Sequence, residues 1–160
     1  MKNEEKYIII DIETNALLKV KNIWMCGVKS SDMAEPKIYL EKDIKELIEF
    51  LSTKEEYTLV GHNLIEFDLV HLEKHWGIQV DNKKYDTVLK SRALCTGLHF
   101  GHTLEMWGYK LNMHKGEFND WDKTSKEMEA YCKNDVSLTE ELYFFLTELE
   151  EELAQENAQK

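Results

Sequence analysis

The stretch Tyr7–Thr14, whose sequence is YIIIDIET, is the central element of the predicted fold because it places two carboxylates at the end of a segment otherwise built to be buried. A run of tyrosine and isoleucine between charged residues is typical of a buried β-strand. Side chains alternate along a strand, so Asp11 and Glu13 project from one side while Ile10 and Ile12 face the other. Two acids held side by side repel each other unless they share a proton or bind a cation. The stretch therefore predicts an acidic site on one face of the first strand.

Length and composition predict one globular domain. The chain has 160 residues, of which 42% are hydrophobic, and a single proline, so it can bury one core and is not expected to be disordered. We assign residues 1–150 to this domain and expect the acidic tail 151–160 to fray. The sequence has neither an apolar run long enough for a bilayer nor the pattern of a signal peptide, so we expect a cytoplasmic location. Three cysteines without metal-ligand spacing are predicted to be reduced core thiols: Cys26, Cys95 and Cys132.

The net charge of -11 argues against a protein that grips a long nucleic acid by its phosphates. Arg92 is the single arginine among 20 basic residues, so bidentate guanidinium clamps on phosphate are nearly excluded. Metal ions would have to take that role. The nearest approach to a basic patch consists of Lys110, Lys115, Lys123 and Lys126. Acidic residues are interspersed among these lysines, so an ordinary solvated surface explains them at least as well.

The first half of the chain predicts a mixed sheet. Two strands, Asn22–Ser30 and Lys37–Leu40, follow the first through short connections, as in a meander. Apolar residues at helical spacing predict an amphipathic helix over Glu41–Thr53, with Asp43 as its cap. A fourth strand over Tyr57–Gly61 then implies a parallel crossover. The predicted fold class is α/β.

The second half adds a short strand and several helices. Asp68 lies near the first turn of a helix, where the helix dipole alone would explain an acid. Tyr85–Leu94 reads as a fifth strand leading into a helix capped by Asp86. Gly101–Leu111 predicts a short helix closed by Gly108, followed by a polar loop.

The pattern from Ser125 onward is helical to the end of the chain. Tyr131 and Asp135 lie one turn apart on the face that otherwise carries apolar residues. A buried acid needs a partner, although a locally hydrogen-bonded tyrosine and an acid at a helix break would explain an isolated pair of this kind.

Three acidic motifs occur in order along the chain: Asp11–Thr14 (DIET), Asn63–Asp68 (NLIEFD) and Tyr131–Asp135 (YCKND). Their order and spacing resemble the DEDD exonucleases in the branch with tyrosine, which are DnaQ-like enzymes on an RNase H-like fold. The resemblance implies a mixed central β-sheet of about five strands flanked by α-helices, in agreement with the α/β class predicted above.

A narrower resemblance covers most of the chain. It is carried by four segments, which are similar to the proofreading exonuclease domain of short-tailed-phage family A DNA polymerases: Asp11–Leu18, Cys26–Val28, His102–Leu111 and Lys115–Phe118. The sequence stops where such an enzyme would continue into its polymerase. We therefore expect a free-standing exonuclease, in the host cytoplasm if it is encoded by a phage, which could proofread in trans for a DNA polymerase on a separate chain.

The resemblance implies the chemistry of a metal-dependent 3'-5' exonuclease acting on the 3' end of single-stranded or frayed DNA. Asp11, Glu13 and Asp135 would hold the first of two divalent cations, Mg²⁺ or Mn²⁺, and Asp11 would bridge to the second, with Asp68 nearby. Tyr131, with an ordinary pKa of about 10, cannot be a strong base at neutral pH and would orient the attacking water.

Substrate contacts are also implied by the resemblance. Leu17 would act as a wedge between the last two bases, although composition alone favours a core residue. Asn63 and Phe67 would lie near the terminal nucleotide, where many relatives carry tyrosine in place of Phe67. The full expected set of substrate-binding residues is Thr14, Asn15, Leu17, Asn63, Phe67 and His102. His62 and His102 flank the proposed site, where simple hydrogen bonding is the common alternative.

Three other functions remain open. An exoribonuclease of the same superfamily would share every acid and differ in how it meets the 2'-hydroxyl. A non-catalytic module could keep the fold and bind a protein partner, but it has no physical need for clustered buried carboxylates. An endonuclease or strand-transfer enzyme could use clustered acids and two metals on the same scaffold, and the spacing of Tyr131 and Asp135 favours the exonuclease instead.

Overall fold

The computed structural model describes residues 5–160 and centres on a five-stranded sheet in the order β3-β2-β1-β4-β5. The strands are β1 (Tyr7–Thr14), β2 (Ile23–Ser30), β3 (Lys37–Tyr39), β4 (Thr58–Gly61) and β5 (Lys84–Asp86). The first three strands form an antiparallel meander, and β4 and β5 run parallel to β1. The predicted mixed sheet and its parallel crossover are confirmed.

Helices cover both faces of the sheet. They are α1 (Ile44–Ser52), α2 (Leu69–Trp76), α3 (Thr87–Leu94), α4 (Leu104–Lys110) and α5 (Lys126–Ala158). The even-numbered isoleucines of β1 pack with α1 and α2, whereas Tyr7 and Ile9 pack with α4 and α5. This alternation is the period of two that the sequence predicts, and it turns Asp11 and Glu13 toward α5. Within residues 5–160 there is no helix with the length and apolar character needed to cross a membrane.

Two predicted helix boundaries are wrong. The helix α4 continues past Gly108 to Lys110. A Cβ at Gly108 would lie 2.5 Å from the carbonyl oxygen of Met113, so glycine permits a close approach of the following loop there instead of ending the helix. The segment predicted as one helix from Glu41 begins with a 3₁₀ turn, and α1 starts at Ile44.

Asp43 has a different partner from the one expected of a helix cap. Its side chain makes no capping hydrogen bond to α1, and its Oδ2 instead accepts from the backbone N–H of Leu40 at 2.9 Å. It therefore stabilises the entry into the 3₁₀ turn.

The long helix α5 runs unbroken to Ala158, so residues 151–158 are helical. Fraying of this tail, and the domain boundary at residue 150, stay predictions. The three thiols are free, with Cys26 and Cys132 buried and Cys95 partly buried at the end of α3. Their assignment as reduced thiols agrees with this arrangement.

Candidate active site

Four acids from three parts of the fold line one cavity of about 390 Å³. Asp11 and Glu13 come from β1, Asp68 from the turn before α2, and Asp135 from α5. Glu13, Asp68 and Asp135 are nearly fully buried, and Asp11 is partly exposed to the cavity. Tyr131 lines the same cavity one turn before Asp135. The structure thus brings all five predicted catalytic residues together.

A glycine allows α5 to come close enough for Asp135 to reach β1. Gly27 lies opposite Asp11 on the neighbouring strand. A Cβ at Gly27 would lie 2.7 Å from Cys132 Sγ and 2.9 Å from a methyl carbon of Val136. Any side chain there would push α5 away from the sheet, because contacts this short are not tolerated.

Asp68 is held by a hydrogen bond across to the first strand. Residues Leu64–Asp68 form a single π-helical turn before α2, a feature often found at functional sites. Asp68 makes no capping hydrogen bond to α2, and its Oδ2 accepts from the backbone N–H of Ile12 at 3.0 Å. Its position at a helix start is therefore not explained by capping.

Asp86 caps α3 as predicted, and it also holds the loop that carries Asn63. Its Oδ1 accepts from the backbone N–H of Val88 at 3.0 Å and of Asn63 at 3.1 Å. Its Oδ2 accepts from the N–H of Ile65 at 3.1 Å. Asn63 has a φ of 61°, in the left-handed region, which asparagine tolerates better than most residues. The second role of Asp86 has no signal in the local sequence.

Burial makes the four carboxyl groups reluctant to ionise. It raises the pKa of Asp11 to about 6, against the opposing hydrogen bond with Glu13 and the charge of Lys115. Burial and the charges of Asp11 and Asp135 raise the pKa of Glu13 to about 11. Burial and Asp11 raise the pKa of Asp135 to about 8, and the same two causes raise that of Asp68 well above its usual range. The cluster cannot hold four negative charges without a compensating cation.

The cluster suits a hard divalent cation. Among residues 5–160, Glu13 Oε1 and Asp135 Oδ1 are buried and have no hydrogen-bond partner, whereas buried polar atoms are normally partnered. Potential ligand atoms of Asp11, Glu13 and Cys132 lie within 4.8 Å of one another. Cys132 offers a thiol, which is a soft ligand that Mg²⁺ disfavours, and burial raises its pKa well above its ordinary value. The remaining carboxylate oxygens are the ligands that Mg²⁺ and Mn²⁺ prefer.

Lys115 also lines the cavity, and the sequence left open whether Lys115 or Arg92 touches a phosphate. Its Nζ lies 3.6 Å from Asp135 Oδ2 and 5.3 Å from the centre of the Tyr131 ring. Of the four lysines grouped by the sequence, Lys115 is the one that lines the cavity. Its place in the sequence, beside a glycine in a polar loop, gave no sign of this contact.

Two aromatic residues of the same loop surround Tyr131. The rings of Phe118 and Trp121 lie 5.8 Å and 5.6 Å from the Tyr131 ring. The loop is fixed to the sheet because the indole N–H of Trp24 donates to the carbonyl oxygen of Trp121 at 2.8 Å. Burial raises the pKa of Tyr131, although contact with Lys115 opposes this, so the phenol stays protonated at neutral pH. The presence of these large aromatic residues in an otherwise polar loop is the sequence feature from which their packing against the site could have been inferred.

Most of the predicted substrate contacts line the cavity with the acids: Thr14, Asn15, Leu17, Asn63 and Phe67. Leu17 is 82% exposed, so the alternative of a core residue is wrong. Asn15 Oδ1 accepts the backbone N–H groups of Lys21 and Asn22, both at 2.9 Å, which closes the loop that presents Leu17.

The two histidines differ in their placement. His102 is not among the residues lining the cavity, and its Nδ1 lies 2.5 Å from Ser91 Oγ. The structure therefore does not bring His102 together with the other predicted contacts. His62 does line the cavity and hydrogen-bonds Thr87 Oγ1 at 2.8 Å. Burial lowers the pKa of His62 to about 4, so it is neutral at physiological pH.

The chain is similar in sequence to part of a known DNA polymerase. The DNA-directed DNA polymerase of Escherichia phage T7 is 27% identical over 180 aligned positions, which cover 84% of this chain and 26% of that polymerase. The chain thus spans about a quarter of the length of the curated relative it matches. No protein-family model matches the chain.

Solved structures confirm the fold. Brucella melitensis NrnC has a TM-score of 0.73 at 18% identity, over 94% of this chain and 76% of that one. Trypanosoma brucei RNase D has a TM-score of 0.70 at 13% identity, over 89% of this chain and 57% of that one. The family B DNA polymerase of Pyrobaculum calidifontis has a TM-score of 0.67 at 17% identity, over 89% of this chain and 24% of that one. The chain therefore has the RNase H-like fold of these structures, as its sequence predicts.

Proposed function

We propose that this chain is a metal-dependent 3'-5' exonuclease of the DEDD type, in the tyrosine branch, that hydrolyses the 3' end of single-stranded or frayed DNA. The proposal rests on four carboxylates that meet in one cavity although burial opposes their ionisation. A fold without catalysis or metal binding would have no reason to keep such a cluster. This argues against the non-catalytic partner-binding module.

The acids divide into two groups by position. Asp11, Glu13 and Asp135 would hold one divalent cation, with Asp11 shared with a second cation near Asp68. Two Mg²⁺ or Mn²⁺ ions, when bound, supply a deprotonated water and stabilise charge on the leaving 3'-oxygen. The same fold in Brucella melitensis NrnC has been solved with bound Mg²⁺. The hydrogen bond from Ile12 to Asp68 fixes this carboxylate, so Asp68 is positioned before any cation arrives.

Tyr131 would orient the water that attacks the phosphorus. Its phenol stays protonated, so it can donate a hydrogen bond but cannot act as the base. Phe118 and Trp121 restrict its ring and so reduce the motion of its hydroxyl group. A hydroxyl group that orients water accelerates the reaction only while its own position is fixed, so this restriction matters for the rate.

The surroundings of the acids favour a frayed end over a duplex. The cavity, of about 390 Å³, is in the range of small-ligand pockets and suits a terminal nucleotide. Leu17 stands exposed at its rim and could separate the last two bases. Asn63 and Phe67 can meet the terminal nucleotide, since single strands are held by stacking and a few polar groups. The net charge of -11 opposes extended binding along a duplex.

We favour DNA as the substrate because the phage T7 relative is a DNA polymerase. The same relation is the reason to propose proofreading in trans for a polymerase on a separate chain. A short oligonucleotide, including RNA, is the second candidate, because NrnC has been solved with pGG bound and RNase D shares the fold. The same acids would cleave both substrates, which differ in the 2'-hydroxyl group of the sugar.

Digestion of matched 5'-labelled DNA and RNA single strands tests the proposal, with Mg²⁺, with Mn²⁺ and with chelator. We expect a ladder that shortens from the 3' end, requires the metal and is lost in Asp11→Ala. The matched control is Asp122→Ala, which removes an exposed acid outside the cavity. The faster substrate decides between DNA and RNA. Internal cuts would indicate an endonuclease, and no cleavage of either strand with either metal would contradict catalysis.

A further inference from the structure

Lys115 is carried on a segment without helix or strand that joins α4 to α5. The segment is nevertheless anchored on both sides of the lysine. The backbone N–H of Met113 donates to the carbonyl oxygen of Gly108 at 2.8 Å, and Asn134 Nδ2 donates to that of His114 at 3.1 Å. Farther along, Trp121 is tied to Trp24 of β2. The backbone is thus fixed at the cavity, while the lysine side chain keeps its rotatable stem.

The ammonium group of Lys115 makes the one ion pair with an acid of the cavity within residues 5–160. It lies 3.6 Å from Asp135 Oδ2, and the Asp135 side chain is 5% exposed. Lys115 itself is 26% exposed, so it borders both the buried acid and the open part of the cavity. A cation in this position offsets part of the repulsion among the four carboxylates.

Lys115 and a divalent cation would compete for the same carboxylate. Asp135 belongs to the group of acids that the proposed function assigns to the metal. An incoming cation would repel the ammonium and replace its attraction to Asp135. A lysine side chain has a flexible four-carbon stem and three donors, so it can turn to a new anion without moving the backbone. The four carboxylates that line the cavity would repel a substrate phosphate. Such a phosphate is therefore the anion that would gain most from contact with the ammonium group.

We propose that Lys115 is an exchangeable counter-ion, which pairs with Asp135 in the metal-free protein and contacts the phosphate of the scissile bond once cations occupy the acids. This inference rests on the proposed function and adds a catalytic residue to it. Because the phosphate gains negative charge in the transition state, the ammonium would stabilise that state more than the bound substrate.

The two roles of Lys115 predict opposite effects of removing its charge. Lys115→Met keeps a long apolar stem but frees Asp135 from competition, so the affinity for Mg²⁺ without nucleic acid should rise, by about three- to tenfold. Turnover at saturating Mg²⁺ should fall, by about ten- to a hundredfold, because the phosphate loses its cation. Lys115→Arg keeps the charge and should lie nearer to the wild type in both quantities.

Titration calorimetry of the metal-free protein with MgCl₂ measures the first effect, and cleavage of a 5'-labelled single strand measures the second. Lys123→Met is the matched control, since it removes the same charge from an exposed position of the same segment outside the cavity. It should change neither quantity. Opposite shifts in Lys115→Met support the exchange. A merely structural lysine would instead lower metal affinity and turnover together, which would overturn it.

The experiment also separates this inference from the function on which it rests. If the wild type cleaves and Lys115→Met binds Mg²⁺ and turns over as the wild type does, the role of Lys115 alone is overturned. If the wild type binds Mg²⁺ but cleaves neither DNA nor RNA, the proposed function is overturned and this role with it.

Discussion

The backbone N–H of Ile12 donates a hydrogen bond to Asp68 Oδ2 over 3.0 Å, joining β1 to the turn before α2. The residue that donates lies between Asp11 and Glu13, so this bond couples the position of the second acidic motif to that of the first. Asp68 thereby has two separable properties. Its carboxylate accepts the hydrogen bond of a β1 backbone N–H group. It is also a buried ionisable group, whose pKa is raised well above its usual range by burial and by the charge of Asp11.

Asp68→Asn should separate these two properties. The amide oxygen can still accept from Ile12, and an amide cannot ionise beside Asp11, so we expect the metal-free protein to be at least as stable as the wild type. Asp68→Ala leaves the Ile12 N–H unpartnered and should be less stable than Asp68→Asn, by about 1–3 kcal/mol. Both variants should lose nearly all cleavage. Chemical denaturation in chelator measures the stability, and equal stability of the two variants would contradict the importance of the hydrogen bond.

The stability of the metal-free protein should fall as the pH rises from about 4 to about 8. Burial raises the pKa of Asp11 to about 6 and of Asp135 to about 8, whereas both groups ionise near pH 4 in the unfolded chain. The native state therefore holds protons that the unfolded chain has already released, and this favours unfolding as the pH increases.

Mg²⁺ should reverse this trend, because it binds the ionised acids of the native state. We expect the gain in melting temperature on adding Mg²⁺ to be larger at pH 8 than at pH 5, by roughly 5 °C or more. Thermal unfolding with chelator and with Mg²⁺ at both pH values measures it. The same gain at both pH values would argue that the cation binds elsewhere.

Tyr131→Phe should lower turnover by about ten- to a hundredfold, because it removes the hydroxyl that orients water. The ring keeps its packing against Phe118 and Trp121, so the affinity for Mg²⁺ and the melting temperature should change little. Calorimetry and cleavage assays at saturating Mg²⁺ distinguish the two effects. Near-wild-type turnover would remove Tyr131 from the chemistry.

Leu17→Ala should reduce cleavage of a paired 3' end more than cleavage of a single strand, since a wedge matters only where bases are stacked or paired. Its stability should stay within about 0.5 kcal/mol of the wild type because the side chain is exposed. Leu18→Ala is the matched control, as Leu18 is equally exposed but does not line the cavity. An unchanged ratio of rates on the two substrates would show that Leu17 is not a wedge.

A polar cluster beneath α5 should matter for stability rather than chemistry. Glu140 is 8% exposed, and it accepts hydrogen bonds from Lys29 at 2.6 Å and from the Tyr7 hydroxyl at 2.8 Å. Glu140→Ala leaves the nearly buried ammonium unpaired, so we expect a loss of about 3 kcal/mol in the free energy of unfolding. Chemical denaturation measures this loss. A change below about 1 kcal/mol would mean that water replaces the lost partner.

Features set by local periodicity were predictable from the sequence. The alternation in Tyr7–Thr14 assigns Asp11 and Glu13 to one face, and the three- and four-residue spacing in α5 places Tyr131 and Asp135 together. The cap on α3 was also predictable because it is local: Asp86 accepts from the N–H of Val88, only two positions away. Two helix boundaries were not, because at Gly108 and before Ile44 the deciding contacts come from the following or preceding loop.

The residues that share a face of each element could be predicted from the sequence, because they follow from backbone geometry over a few residues. The order of the acidic motifs is itself a property of the sequence. Three contacts are visible only in the folded chain: Lys115 pairs with Asp135, the N–H of Ile12 donates to Asp68, and Gly27 lets α5 approach the sheet. The partners in these contacts are separated by 20 to more than 100 positions in the chain. No local pattern encodes such pairs, since they form only when packing of the whole core brings distant segments together.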